Sequence, residues 1–193
     1  MFYADERVVP LDHPDSNHNA CAKALFSKVP IPAQNIHTID PTLLDDLEEL
    51  TDAYEHDLIR EFAMKDSARF PVFDLILLGM GPDGHTASLF PNHPLLLESG
   101  RWVAPIEDSP KLPKKRITLT LPAINHAVRV VFVAAGKEKK EVLKAVLDSP
   151  DEEGAKLPAS RVKPVFPGEL FWFVDDEASE GVGYLKKLFQ LQA

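Results

Sequence analysis

The chain has 193 residues, 45% hydrophobic and 26% charged, the balance of one sizeable globular domain over residues 1–193. A formal net charge of −9 argues against a nucleic-acid partner, whose binding needs clustered cations, yet leaves room for a small anion held by local Lys and Arg. No stretch approaches the roughly 20 apolar residues of a membrane helix, the first residues lack signal-peptide regions, and the single Cys21 excludes an internal disulfide, so the expected setting is cytoplasmic with no membrane partner.

In chain order, Met1–Ala4 reads as the end of a strand running straight into Asp5-Glu6-Arg7. A start on a strand stub leads to the expectation that an N-terminal portion is missing. Asp15-Ser16-Asn17 offers capping side chains for a helix over Ala20–Phe26, and Ile36–Ile39 is a short strand candidate. Asp40-Pro41 reads as a helix start, followed by Leu43, Leu47, Leu50, Tyr54, Leu58 and Phe62 at three- and four-residue spacing.

Val72–Leu78 is an apolar, branched run that predicts a central strand covered on both faces. It breaks into Gly79-Met80-Gly81-Pro82-Asp83-Gly84-His85, and Thr86–Phe90 leaves room for about one helical turn before Pro91. Trp102–Ile106, Ile117–Leu121, Val128–Ala135 and Glu169–Val174 read as further strands, and Gly136 leads a helix to about Leu147. Asp108–Lys115 is a basic loop, Ser149–Pro158 a polar surface loop, and Glu177–Leu191 a closing helix. The alternation of strands and helices predicts an α/β fold, Rossmann-like, with an open, mainly parallel sheet flanked by helices.

His85 is the chemical focus, because the carboxyl end of a strand in an open α/β sheet is where ligands bind and imidazole titrates near neutrality. The glycines also match the spacing of a dinucleotide fingerprint. The following helix is too short for that reading, and Pro82 removes a backbone donor where a pyrophosphate needs one. His85 and His93 lack a third ligand at metal-binding spacing, so no zinc site is expected.

Three separated segments carry a family resemblance: Asp5-Glu6-Arg7 with Val9-Pro10, the run GMGPDGHTASLFP at 79–91, and Asp108-Ser109-Pro110-Lys111 followed by Arg116-Ile117-Thr118-Leu119-Thr120. With Gly136, Lys139, Leu157-Pro158-Ala159 and Phe171-Trp172-Phe173, the sequence resembles the 6-phosphogluconolactonases of the glucosamine-6-phosphate isomerase/6-phosphogluconolactonase superfamily over nearly its whole length. The resemblance implies a sugar-phosphate isomerase/deaminase-like fold and hydrolysis of a phosphosugar lactone without metal or organic cofactor. Members usually carry a preceding β-α-β portion with a Ser-Gly-Gly loop, which is not in this sequence.

Under that resemblance His85 is the expected general base and Asp83 its orienting partner, with Gly81 and Gly84 shaping a loop whose N–H groups face an oxyanion. Asp5, Arg7, Lys111, Arg116 and Lys139 are the expected substrate-binding residues, Arg116 being favoured for phosphate because a planar fork suits bidentate binding. Amino-sugar phosphate deaminases share similar motifs but resemble this chain only up to the turn after the histidine. They carry a glutamate there, whereas this sequence has Phe90. A non-catalytic remnant is the other alternative. Among partners, only the small phosphosugar lactone is expected, with the chain a monomer or weak oligomer.

Overall fold

The computed structural model describes residues 1–62, 69–148 and 156–187. Strand β1 is Asp5–Arg7, one step later than Met1–Ala4 suggested. Ala4 contributes only its carbonyl to the Leu119 N–H, whereas residues 5–7 pair in register with a partner strand. Helix α1, Asn17–Ala24, starts earlier than expected because Ser16 is its cap and accepts the Asn19 N–H. Residues 36–39 form no strand, although Ile39 enters the core.

Helix α2, Leu47–Phe62, buries Leu47, Leu50, Tyr54 and Leu58 on the face that the spacing predicts. It does not begin at Asp40-Pro41. The Asp40 carboxylate accepts the Thr42 N–H in a turn (2.8 Å), and Asp46 accepts the Glu49 N–H (3.0 Å) where the helix opens.

The remaining strands and α-helices are β2 (Ile76–Gly79), β3 (Val103–Ile106), β4 (Arg116–Leu119), α3 (Leu121–Asn125), β5 (Arg129–Ala134), α4 (Lys140–Asp148) and β6 (Glu169–Val174), with short 3-10 turns between them. Helix α3 was not foreseen. Thr120 ends the strand and caps that helix by accepting the Ala123 N–H. The strands divide into a parallel sheet, β2-β5-β6, and an antiparallel one, β1-β4-β3. The α/β architecture with a parallel sheet and flanking helices therefore stands. The antiparallel pairing of β3 with β4 follows from the 107–115 connection, which is too short for the crossover that parallel neighbours need.

β5 lies at the centre of the parallel sheet and β2 at its edge, which corrects the expectation of a central β2 covered on both faces. Ile76 and Leu78 point into the core, but Leu77 is 64% exposed. Its row across the register, Leu77–Val131–Phe171, lies on a face where Phe171 is 41% exposed. On the other face Phe132 is fully buried and stacks on Trp172 at 4.1 Å.

The expected closing helix does not form over 177–187, where Gly181 turns the chain at φ 75° and Gly183 follows. Residues 188–191 of that expectation lie outside the described residues, as do 149–155 of the expected surface loop. Among the described residues no helix is long and apolar enough to cross a membrane.

Candidate active site

The loop leaving β2 folds back on itself before it reaches the second sheet. Gly81 N–H donates to the His85 carbonyl (2.9 Å), Gly84 N–H to the Gly81 carbonyl (3.0 Å), and Thr86 Oγ1 to the Gly79 carbonyl (2.9 Å). Thr86 and Leu89 then exchange backbone hydrogen bonds around Ala87, which sits at φ 47°. This is a tight turn rather than the helical turn expected over 86–90, so no helix N-terminus follows the glycines to receive a pyrophosphate.

The two glycines serve different needs. Gly84 lies at φ 79°, and a Cβ there would meet the Leu157 side chain at 2.9 Å. Gly81 has no positive φ, but a Cβ on it would overlap the His85 ring and come within 2.5 Å of Asp83 Oδ1. The loop is bare at Gly81 because the Asp–His pair packs directly on its backbone.

Asp83 Oδ1 lies 2.5 Å from His85 Nδ1. The Lys111 ammonium is 3.2 Å from both the same carboxylate oxygen and His85 Nδ1. An ionised carboxylate accepts from both, so Nδ1 carries the proton toward Asp83 and Nε2 is left as the basic nitrogen. Phe90 stacks on the imidazole (4.8 Å, 27°), and the Arg116 guanidinium lies over the Phe90 ring at 5.7 Å.

The His85 side chain is 18% exposed. Burial pushes its pKa below the ordinary imidazole value and Lys111 adds to the lowering, against the opposing pull of Asp83 and, more weakly, Asp5. Partial burial works to raise the Asp83 carboxyl, but the hydrogen bonds and charges of His85 and Lys111 overcome it and hold the pKa low. The pair is thus poised as neutral imidazole beside ionised carboxylate.

The second sheet brings the other residues in. Ser88 N–H donates to Thr118 Oγ1 (3.2 Å) on β4, and Ser88 Oγ donates to Asp5 Oδ2 (2.7 Å) on β1. Arg7 stands opposite Arg116 in the β1–β4 register, and burial followed by the positive charge of Arg7 lowers the Arg116 pKa. Like charges facing each other across a strand pair are unfavourable unless something negative lies between or beside them.

Arg116 is only 3% exposed, and its fork is largely taken by its own loop. Nε donates to the Pro113 carbonyl (2.9 Å), Nη2 to the carbonyls of Lys111 and Leu112, and Nη1 to Ser88 Oγ at 3.4 Å. In this arrangement Arg116 holds the loop that presents Lys111. Arg7 donates through Nη1 to the Asp15 carbonyl (2.9 Å) and Asn17 Oδ1 (3.0 Å), while its buried Nε has no partner.

Lys139 follows Gly136 at the carboxyl end of β5, beside β2, and so on the same rim of the parallel sheet as the His85 loop. Its nearest charged contact is Glu138 at 4.0 Å, and it forms no hydrogen bond with the His85 loop. The structure therefore gathers Asp83, His85 and Lys111 directly, joins Asp5, Arg7 and Arg116 to them through Ser88 and the β1–β4 pair, and leaves Lys139 apart. Ser88, Phe90 and Asn17 were not singled out from the sequence as site residues. Ser88 and Phe90 lie inside the Gly79–Pro91 run, whereas nothing in the local spacing around Asn17 points to Asp5 or Arg7. His93 is separate, bonded through Nε2 to Asp108 at 3.0 Å, and among the described residues no three His, Cys, Asp or Glu side chains are grouped to hold a metal ion.

A parallel sheet whose carboxyl rim presents a carboxylate–imidazole pair, with cations from a second sheet nearby, has the arrangement of an α/β enzyme. The chain belongs to the glucosamine-6-phosphate isomerase/6-phosphogluconolactonase family, whose profile matches residues 1–172. It is 49% identical over 179 residues to the 6-phosphogluconolactonase of Homo sapiens, covering 93% of this chain and 66% of that protein. It is 47% identical over 184 residues to the probable 6-phosphogluconolactonase of Schizosaccharomyces pombe, covering 93% of this chain and 70% of that one. The solved 6-phosphogluconolactonase of Trypanosoma cruzi superposes with a TM-score of 0.78 at 34% identity, over 94% of this chain and 71% of that chain. The chain spans about two thirds of the length of the curated relatives it matches.

Proposed function

We propose that this protein hydrolyses 6-phospho-D-glucono-1,5-lactone to 6-phosphogluconate, the carboxylic ester hydrolysis of the oxidative pentose phosphate pathway. The observation that carries the reading is the Asp83–His85 contact of 2.5 Å with Lys111 at 3.2 Å from each. The names of the relatives support the substrate.

In the first step His85 Nε2 takes a proton from a water whose oxygen adds to the lactone carbonyl carbon, while Asp83 stabilises the imidazolium that forms. Negative charge builds on the former carbonyl oxygen. The Gly81 and Gly84 N–H groups are already spent inside the loop, so this reading assigns that oxygen to the Lys111 ammonium, the cation beside the imidazole. Collapse of the tetrahedral adduct breaks the bond to the ring oxygen, and the imidazolium returns its proton to that oxygen. The product ionises to a carboxylate.

Arg7, with Arg116 behind it and Lys139 on the same rim, supplies the charge that draws the phosphate. The reading includes a monomeric or weakly associating cytoplasmic enzyme without nucleic-acid or membrane partners. The acidic composition speaks against a nucleic-acid partner, and the single free Cys21 fits a reducing compartment.

The test is acid release from freshly generated phospholactone, followed above the spontaneous rate. The wild-type protein is expected to exceed that rate, and His85→Ala to lose about 10²–10⁴-fold of the enzymatic part while staying folded. A folded wild-type protein that does not exceed the spontaneous rate refutes the function. An active His85→Ala removes His85 from the mechanism.

A further inference from the structure

Glu6 is a carboxylate 1% exposed, between two residues of the site on β1, and the mechanism above does not use it. Alternation along a strand turns it away from Asp5 and Arg7. A buried carboxylate is stable only when its oxygens are satisfied, and here four donors converge on it. Oε1 accepts the N–H groups of Arg7 (2.8 Å) and Asn17 (2.7 Å), and Oε2 accepts the His18 N–H (2.8 Å) and the Ser16 hydroxyl (3.2 Å).

Three of those donors belong to the cap and first residues of α1, so Glu6 ties the start of that helix to β1. The tie has a second half on the other side of the strand. Asn17, its backbone fixed by Glu6, sends Nδ2 to the Asp5 carbonyl (2.7 Å) and carboxylate (3.2 Å) and receives Arg7 Nη1 on Oδ1 (3.0 Å). The Asp15 carbonyl beside it takes the same Arg7 nitrogen.

We infer that Glu6 is a positioning residue: its buried carboxylate fixes the 15–18 turn, and through Asn17 and Asp15 that turn sets the Arg7 guanidinium for the phosphate end of the substrate. The inference rests on the lactonase reading above. It differs from a purely structural role in what it penalises: the turn holds Arg7 directly, whereas the His85 loop is held chiefly by its own hydrogen bonds and reaches β1 only through Ser88 and Asp5.

The test compares kcat and KM on 6-phosphogluconolactone and on the unphosphorylated glucono-1,5-lactone for wild type, Glu6→Gln and Asn17→Ala. Glutamine keeps the shape of Glu6 but turns an amide N–H₂ toward N–H donors, so the turn must shift. Glu6→Gln is expected to lower the preference for the phosphorylated lactone, as a ratio of kcat/KM values, at least tenfold, with most of the change in KM. Asn17→Ala, which leaves the buried carboxylate and its backbone donors in place, is expected to lower it at least threefold and so carries the test if Glu6→Gln does not fold. Equal losses on both lactones, or an unchanged preference, overturn the inference. A wild-type protein that shows no preference for the phosphorylated lactone overturns the lactonase reading as well, whereas a discriminating wild type with unaltered variants overturns this inference alone.

Discussion

Gly81→Ala isolates the geometry of the base from the chemistry of its side chains. The backbone at Gly81 is not in the left-handed region, so alanine adds no conformational strain there. The new methyl would stand 2.5 Å from Asp83 Oδ1, about 0.9 Å short of the 3.4 Å at which ordinary contact begins, and the overlapping His85 ring would have to move further still. Both obstructing groups are side chains rather than backbone: the Asp83 carboxylate can rotate away, and the imidazole must slide on Phe90, so the fold should survive with a modest fall in melting temperature. The main cost falls on the reaction. A displacement of this size separates Nδ1 from the carboxylate and carries Nε2 off its line to the attacking water, and misplacements near 1 Å cost about 10²-fold.

We therefore expect kcat/KM for the phospholactone to fall about 10²–10³-fold, read as acid release above the spontaneous rate, with an unaltered circular dichroism spectrum. In a double variant with His85→Ala the two losses should not add, because both act on one group. A Gly81→Ala protein with wild-type kcat/KM would refute the claim that the pair must sit against bare backbone.

Asp83→Asn removes the carboxylate that fixes the imidazole tautomer and stabilises its charged form, and should cost about 10²–10⁴-fold in kcat, with the acid limb of the pH profile moved to lower pH. An unchanged profile would show that Asp83 serves only the loop. Lys111→Met acts with the opposite sign on that limb. In the proposed mechanism turnover needs neutral His85, so the rate should rise as pH climbs through the folded-state pKa, which burial and Lys111 hold below the ordinary value. Removing the ammonium raises that pKa and should move the acid limb upward, measured on kcat/KM between about pH 5 and 8. A limb that stays in place would separate Lys111 from the base.

Much of this site was legible because its chemistry is local. The residues from Gly79 to Pro91 carry their own hydrogen bonds, so the sequence shows a glycine turn offering Asp83 and His85 at a strand end, and the structure has that turn. The core face of α2 was legible for a similar reason, since helical spacing alone selects Leu47, Leu50, Tyr54 and Leu58.

What failed to read depends on partners distant in the chain. Val72–Leu78 has the composition of an interior strand, but position in a sheet is decided by neighbours, and among the described residues β2 pairs with β5 alone. Asp40-Pro41 and Asp46 are both acceptable helix starts by residue type, and the choice falls to Asp46, which caps the turn from which Leu47 enters the core. Arg116 was expected to offer its fork to phosphate, yet the carbonyls of residues 111–113 curl around that fork, a folding-back that no spacing rule reports. Glu6 read as one part of a motif, because three of its four donors lie ten to twelve positions downstream.

The segment bearing His85 is rooted at the end of β2 and pinned, through Ser88, to β1 and β4 of the other sheet. It works as a strut between two slabs, so the aim of the His85 nitrogen proposed as the base is geared to how those slabs are set against each other. Substitutions that tilt one slab, even well away from any reacting atom, will be felt as detuned catalysis before they are felt as lost folding.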